Sequence, residues 1–305
     1  MNVDIKISHL TKRFGDVIAL KDVNLEVLSG EMMGLIGPDG AGKTTLLRIL
    51  SGLLVADSGD CWVAERDVRR QLAAVREVIG YMPQRFSLYG DLTVAENLRF
   101  FADLFQVSRT ERERRMKRLL EFSRLRPFMH RRAAALSGGM KQKLALSCTL
   151  IHTPKVLLLD EPTTGVDPVS RREFWEILTE LRASGVTILL TTPYMDEAAK
   201  CDRVALIYHG KILLVSEPSQ LAVSLNKTVI DVICDRPVHA AKILMSTGCF
   251  DSAHSLGDRV HLISQQSRDR CQPIIAKLLE AENIRINSIN EIPPTIEDVF
   301  VELLS

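Results

Sequence analysis

A chain of 305 residues is long enough for about two domains, and a 46% hydrophobic content supplies material for a core in each. Lys plus Arg (39) nearly balance Asp plus Glu (38), which argues against a general nucleic-acid binder, since those carry a basic excess. The opening MNVDIKISHL is charged where a signal peptide is apolar, and no run reaches the roughly 18 apolar residues of a membrane span. The expectation is a soluble intracellular chain. The 6 cysteines form no CxxC pair, so reduced thiols are expected rather than a zinc or redox motif. The 7 histidines are dispersed, with no ligand spacing on a helix.

In chain order, DIKISHL, VNLEVLSG and EMMGLIG read as strands, and the last runs through a glycine-rich turn into a helix, KTTLLRILSGLL. Residues 93–150 take a helical pattern of interleaved charges and read as a helical insertion. KVLLLDE, residues 155–161, is a short continuous apolar run, as in a buried parallel strand. PVSRREFWEILTELRASG is a helix opened by Pro168 and closed near Gly185, and VTILL and RVALIYHG are further strands. Strands alternating with helices imply a parallel α/β sheet covered on both faces. After about SEPSQL the segments TVIDVICD, HAAKILMSTG, RVHLISQ, CQPIIAKLLEAEN and IRINSIN suggest a small α/β domain of the ferredoxin-like βαββαβ kind. The expected domains are residues 1–216 and 217–305.

GPDGAGKTT places Gly37, Pro38, Asp39, Gly40, Ala41, Gly42, Lys43, Thr44 and Thr45 in a phosphate-loop pattern, G-x-x-x-x-G-K-[ST], with a strand before it and a helix after. Glycines let backbone N–H groups face phosphates, and the helix points its positive end at the same anion. Lys43 is expected at the β- and γ-phosphates of ATP and Thr44 on Mg2+. In LLLDEP, Asp160 would hold Mg2+ through its shell and Glu161 would take a proton from the attacking water. In LSGGMKQKLAL, Ser137 can cap a helix whose first turn holds Gly138 and Gly139. Two glycines at a helix start are wasteful unless an anion comes close. A second such start, in a chain that already has a phosphate loop, implies a site completed by a second copy.

With these motifs in this order, joined by YMPQ and TTGVDP, residues 3–216 resemble the nucleotide-binding subunits of ATP-binding-cassette (ABC) transporters. The resemblance implies a P-loop NTPase cassette with a helical subdomain. It implies that Gln84 senses Mg2+ and the membrane partner, that Ser137, Gly138 and Gly139 touch ATP held by the opposite subunit, and that Asp167 links the two sites. The adenine-stacking aromatic maps to Phe14, for which a core position is the competing reading. The ending PPTIEDVFVELL resembles exporter subunits for drugs, antibiotics, polysaccharides or other hydrophobic cargo. Those pair, as homo- or heterodimers, with separately encoded permeases at the cytoplasmic face of the membrane.

Two positions depart from the family pattern. Asp39 stands where Asn is usual; a carboxylate about 5 Å from a phosphate costs roughly 3 kcal/mol per charge pair at an effective dielectric near 20, so it is expected to point away. Pro193 stands where the family has a switch histidine, and proline offers neither a side-chain donor nor an N–H. Thr192 is the nearest hydroxyl, with a shorter reach. The rivals are an ATP-binding cassette without turnover and a soluble cassette of translation or repair. Residues 109–132 hold ten basic and three acidic side chains, read as a solvated helix face, or alternatively as a patch for anionic lipid.

Overall fold

The apolar runs read from the sequence become the middle of a parallel sheet. The computed structural model describes residues 2–85, 88–225 and 227–304, and the chain divides into two units, Met1–Val215 and Ser216–Ser305.

The first unit starts with a long hairpin, β1 (Val3–Phe14) and β2 (Val17–Leu28). A two-residue loop can join only antiparallel strands; Phe14 pairs with Val17, and Gly15 takes the left-handed φ of 56° that such a turn needs. There follow β3 (Met32–Ile36), α1 (Lys43–Leu50), β4 (Ser58–Val63), β5 (Arg66–Asp67), α2 (Leu72–Val78) and β6 (Ile79–Met82). The helical segment comprises α3 (Val94–Leu104), α4 (Arg109–Phe122) and α5 (Gly138–Leu150). The unit closes with β7 (Val156–Asp160), α6 (Pro168–Ala183), β8 (Thr187–Thr192), α7 (Met195–Ala198), β9 (Arg203–Tyr208) and β10 (Lys211–Ser216).

These strands make two sheets rather than one. β2-β1-β4-β5 is antiparallel, and the other sheet runs β10-β9-β3-β8-β7-β6. Within the second, β3 pairs in parallel with β8 and β9, and β7 with β6 and β8. Every residue of β3, β7 and β8 is buried, as expected of parallel strands covered on both faces. The first two strands are half-exposed and alternate, which is why they form a separate layer packed by one face on the core.

In the second unit α8 (Pro218–Ser224) precedes β11 (Thr228–Cys234), α9 (Pro237–Ser246), β12 (Ser252–Leu256), β13 (Arg259–Ser264), α10 (Arg268–Ala281), β14 (Ile286–Ile292) and α11 (Ile296–Leu304). The sheet order β12-β13-β11-β14, with antiparallel pairs, is a βαββαβ arrangement. Ile230, Val232, Val260 and Leu262 pack against Leu244, Ile275 and Leu279 of α9 and α10. Strand β12, SAHSL, was absent from the sequence reading because it is short and polar, with no alternation to betray it.

The start of α3 is set by a capping box. The Thr93 hydroxyl accepts from Glu96 N, and Glu96 accepts from Thr93 N at 2.7 Å. Asn97, fully buried, then ties the preceding loop down. It accepts from Tyr89 N at 3.0 Å and donates to the carbonyls of Tyr89, Leu92 and Thr93. A buried polar group left without a partner costs about 1–3 kcal/mol. Asn97→Ala is therefore expected to lower the thermal transition of the first unit by several degrees in scanning calorimetry, whereas an unchanged transition would mean that water replaces the amide.

Candidate functional site

β3, β8 and β7 are neighbours that end at one edge of the sheet, the edge where an open parallel sheet receives ligands. The loops after these three strands build the site. After β3, residues 37–42 turn into α1, and their glycines serve different ends. A Cβ on Gly37 would lie 2.1 Å from Ile207 O, and one on Gly42 would lie 2.4 Å from Ala19 O. At these two positions neighbouring strands pass too close for any side chain. Gly40 has open space around it but a φ of +79°, a conformation that costs glycine nothing.

Lys43, 5% exposed, folds its ammonium back to Gly37 O at 2.7 Å and Pro38 O at 3.1 Å, with Glu161 Oε1 at 3.8 Å. Asp160 ends β7 at 1% exposure. Its Oδ1 accepts from the Thr44 hydroxyl at 3.0 Å and the Thr191 hydroxyl at 2.9 Å. Glu161 follows with a φ of 47°, unusual for a non-glycine residue. Its amide donates to Thr191 Oγ1 at 2.9 Å, and its Oε2 accepts from Gln84 Nε2 at 2.9 Å and from Thr164 Oγ1 at 3.3 Å.

One cleft of about 550 Å3 has Ala19, Asp39, Gly40, Ala41, Gly42, Lys43, Thr44, Thr45, Gln84, Glu161, Thr164 and Pro193 at its wall, with Asp160 and Thr191 buried behind Thr44 and Glu161. Asp39 is exposed on its rim together with Pro38. The Thr44 hydroxyl and the Asp160 carboxylate, in contact at 3.0 Å, are both oxygen donors, the kind a hard cation such as Mg2+ takes.

Pro193 lines the cleft, whereas the neighbouring Thr192 is turned away from it. It is fully buried, and its hydroxyl donates to Glu197 Oε2 at 2.6 Å while accepting from Tyr194 N at 3.1 Å. Glu197, also fully buried, takes Thr163 Oγ1 at 2.6 Å on its other oxygen, with Arg171 Nε at 3.6 Å. The Arg171 guanidinium lies 4.2 Å from the centroid of the Tyr194 ring. Thr191 and this Glu197 network were missed by the sequence reading. Their one signal was a pair of threonines ending an otherwise apolar strand, a place where buried hydroxyls need partners.

The remaining site residues lie apart from that cleft. Ser137 caps α5 by accepting from Met140 N at 3.3 Å, and Gly138 is exposed beside it. Gly139 is buried, and a Cβ there would meet Ser170 Cβ at 2.2 Å and Asp167 Oδ2 at 3.4 Å. Its glycine is thus explained by contact with the start of α6. Asp167 caps α6 by accepting from Ser170 N at 2.9 Å, and that bond and the Ser170 hydroxyl hold its carboxyl below the usual range. Gly138 lines a second cleft, of about 440 Å3, that also contains Gln84, so Gln84 borders both. Phe14 is 50% exposed at the end of β1, with Lys12 Nζ 5.5 Å from its ring, so it is no core residue. In the basic stretch Arg112 pairs with Asp103, Arg114 and Arg115 with Glu111, Arg124 with Glu173 and Glu176, and Arg126 with Glu121.

Residues 20–164 match the ABC transporter family model. Over 98% of its length the chain is 41% identical to a probable multidrug ABC transporter ATP-binding protein of Escherichia coli (strain K12), of which it spans 52%. Over 99% of its length it is 34% identical to Nod factor export ATP-binding protein I of Rhizobium sp. (strain N33), of which it spans 97%. The chain belongs to the ABC transporter ATP-binding proteins. Among solved structures, an ATP-binding subunit of an ABC transporter superposes with a TM-score of 0.66 at 30% identity, covering 72% of this chain and 92% of that one. A dimeric post-hydrolysis cassette bound to ADP and Pi gives 0.64 at 27%, covering 70% and 98%. The phosphate loop, Glu161 and Thr164 share one cleft wall, while Gly138 and Gly139 of LSGG lie against Gly165, Asp167 and Ser170.

The Gly139–Ser170 contact is testable by itself. Overpacking a tight contact costs about 1–3 kcal/mol. Gly139→Ala should destabilise the first unit by that much in a denaturant melt. Ser170→Gly in the same chain should recover most of it, and strict additivity of the two changes would refute the contact.

Proposed function

We propose that this ABC ATPase hydrolyses ATP to drive export through a separately encoded membrane permease, with two cassettes closing head to tail over two nucleotides. The observation that carries the proposal is the convergence of Lys43, Thr44 and the Gln84–Glu161 pair in one cleft at the ends of β3 and β7, with Asp160 bonded to Thr44 from behind. The exporter direction rests on the relatives named for multidrug and Nod factor export. Dimer closure rests on the dimeric cassette with ADP and Pi, and on the separation of Ser137, Gly138 and Asp167 from the cleft. Among the described residues no helix is long and apolar enough to cross a membrane, so the permease would supply the path and hold the chain at the cytoplasmic face.

The chemistry follows from the side chains. Phosphates entering the cleft would exchange the Lys43 ammonium from the carbonyls of Gly37 and Pro38 to their own oxygens, while the start of α1 offers N–H donors. Thr44, Asp160 and Gln84 would hold Mg2+, which neutralises charge on the β- and γ-phosphates. Glu161, oriented by Gln84 and Thr164, takes a proton from water as that water's oxygen bonds to the γ-phosphorus and the bond to the ADP oxygen breaks. Binding energy that is larger for the closed dimer than the open one shifts the permease between its states. Ser137 and Gly138 would touch the partner's nucleotide, Asp167 would connect the sites, and half-exposed Phe14 would offer its face to adenine.

Pro193 makes the site slow in this reading. A histidine there would donate to the γ-phosphate; proline cannot, and the Thr192 hydroxyl is held by Glu197. The same residue favours a second reading, a cassette that binds ATP and closes without turnover, which intact Lys43 and Glu161 oppose.

Turnover of the purified chain separates the two. Glu161→Gln should keep ATP binding, trap an ATP-bound dimer in gel filtration and cut kcat about 100- to 10,000-fold, the usual worth of a general base. Wild-type turnover in that variant would place the base elsewhere. Pro193→His should raise kcat more than it changes KM. One hydrogen bond to a charged group is worth about 1.5–3 kcal/mol, or roughly ten- to a hundredfold in rate. Brisk wild-type turnover that Pro193→His leaves unchanged or lowers would refute the degenerate site.

A further inference from the structure

The second unit holds a polar cluster that the ATPase chemistry does not use. Hairpin β12–β13 turns on the two residues Gly257 and Asp258, which sets His254 directly opposite His261. On the next strand Asp231 is opposite His261. His254, His261 and Asp231 thus stand in a row across three strands, with the pleat turning them to one face. The flanking Val232 and Val260 go to the other face, into the core under α9 and α10. Onto the polar face α11 brings Asp298, fully buried.

The distances are those of a ligand set. Asp298 Oδ1 lies 2.9 Å from His261 Nδ1 and 3.2 Å from His254 Nε2, and the three donor atoms lie within 4.8 Å of one another. A tetrahedral ion with bonds of about 2.0–2.1 Å has its ligand atoms about 3.3–3.4 Å apart. The surroundings match as well. Asp298 Oδ2 accepts from the amide and the hydroxyl of Thr295, each at 2.7 Å, which fixes the carboxylate plane. His261 has Asp231 Oδ1 3.9 Å from its other nitrogen, Nε2, beyond hydrogen-bond reach but on the side from which a carboxylate orients a metal-bound imidazole. His254 Nδ1 and Nε2 and Asp231 Oδ1 are buried without a well-formed hydrogen bond, a condition that asks for a further partner.

We propose that His254, His261 and Asp298 bind a first-row divalent cation, Zn2+ in first place, with Asp231 orienting His261 from behind. Two imidazoles and one carboxylate with a fourth position for water are a borderline-soft set that favours Zn2+ over Mg2+ or Ca2+. The ion joins the hairpin β12–β13 to α11, the helix formed by the PPTIEDVF segment, so it fastens the last helix to its sheet.

The test uses the full chain, stripped with a chelator and dialysed, then titrated with Zn2+ in a calorimeter and with Co2+ in a visible spectrophotometer. Wild type should take one equivalent of each, and Co2+ should show the intense visible bands of tetrahedral coordination. His254→Gln should weaken Zn2+ at least about 100-fold and Asp231→Asn about ten- to a hundredfold, the usual cost of losing a residue behind a ligand. His254→Cys guards against a variant that merely misfolds. It keeps a ligand, so it should retain one equivalent and add a thiolate–cobalt charge-transfer band. The proposal is overturned if wild type takes up no Zn2+, if His254→Gln binds as wild type does, or if His254→Cys gives no new band. Exposed Cys249 would then be the candidate for any residual binding.

Discussion

One buried carboxylate oxygen organises the first unit of this protein. Asp160 Oδ1 receives a hydroxyl from Thr44 at the start of α1 and another from Thr191 at the end of β8, while Asp160 itself ends β7. A carboxylate at 1% exposure needs donors, and these two hydroxyls supply them. The alignment of three elements thus rests on one atom. The Thr191 hydroxyl also receives the Glu161 amide, which helps hold Glu161 in its left-handed backbone conformation and aims its side chain at Gln84 and Lys43.

The end of β8 shows how the site lives with proline. A residue at 193 with an N–H would add a donor that the turn has to satisfy; proline brings none. The next amide, that of Tyr194, is met by Thr192 Oγ1, whose own proton goes to Glu197. Glu197 in turn holds Thr163, just after LLLDE, and faces Arg171 on α6. The proline-bearing segment is therefore braced against the segment that carries Asp167. A change in one would be felt in the other through a fully buried carboxylate, without any nucleotide contact.

The second unit spends its polar residues differently. Its core lies on one side of the sheet, under α9 and α10, and the opposite face carries charged and imidazole groups closed by α11. That ending, read from sequence only as a feature of exporter subunits, supplies Asp298 and the Thr295 cap that orients it.

The sequence by itself determined whatever is built from neighbours in the chain. The phosphate loop, the LLLDE acids, the Ser137 cap and the buried strands β3, β7 and β8 were legible because strand, turn and helix signals are local. The proline at 193 was legible because a missing donor needs no partner to be noticed. Tertiary structure alone decided which distant groups share an atom. Thr44 and Thr191 meet on Asp160, Gly139 lies against Ser170, and Thr192 is committed to Glu197 across turns that no periodicity describes. The histidines are the instructive case. They looked dispersed because helical ligand spacing was the pattern sought, yet a two-residue turn at Gly257–Asp258 pairs His254 with His261 across a hairpin. That pairing was implicit in the chain, because hairpin register follows from loop length. The addition of Asp298, 37 residues beyond His261, was not, because only the packing of the last helix on the sheet brings it there.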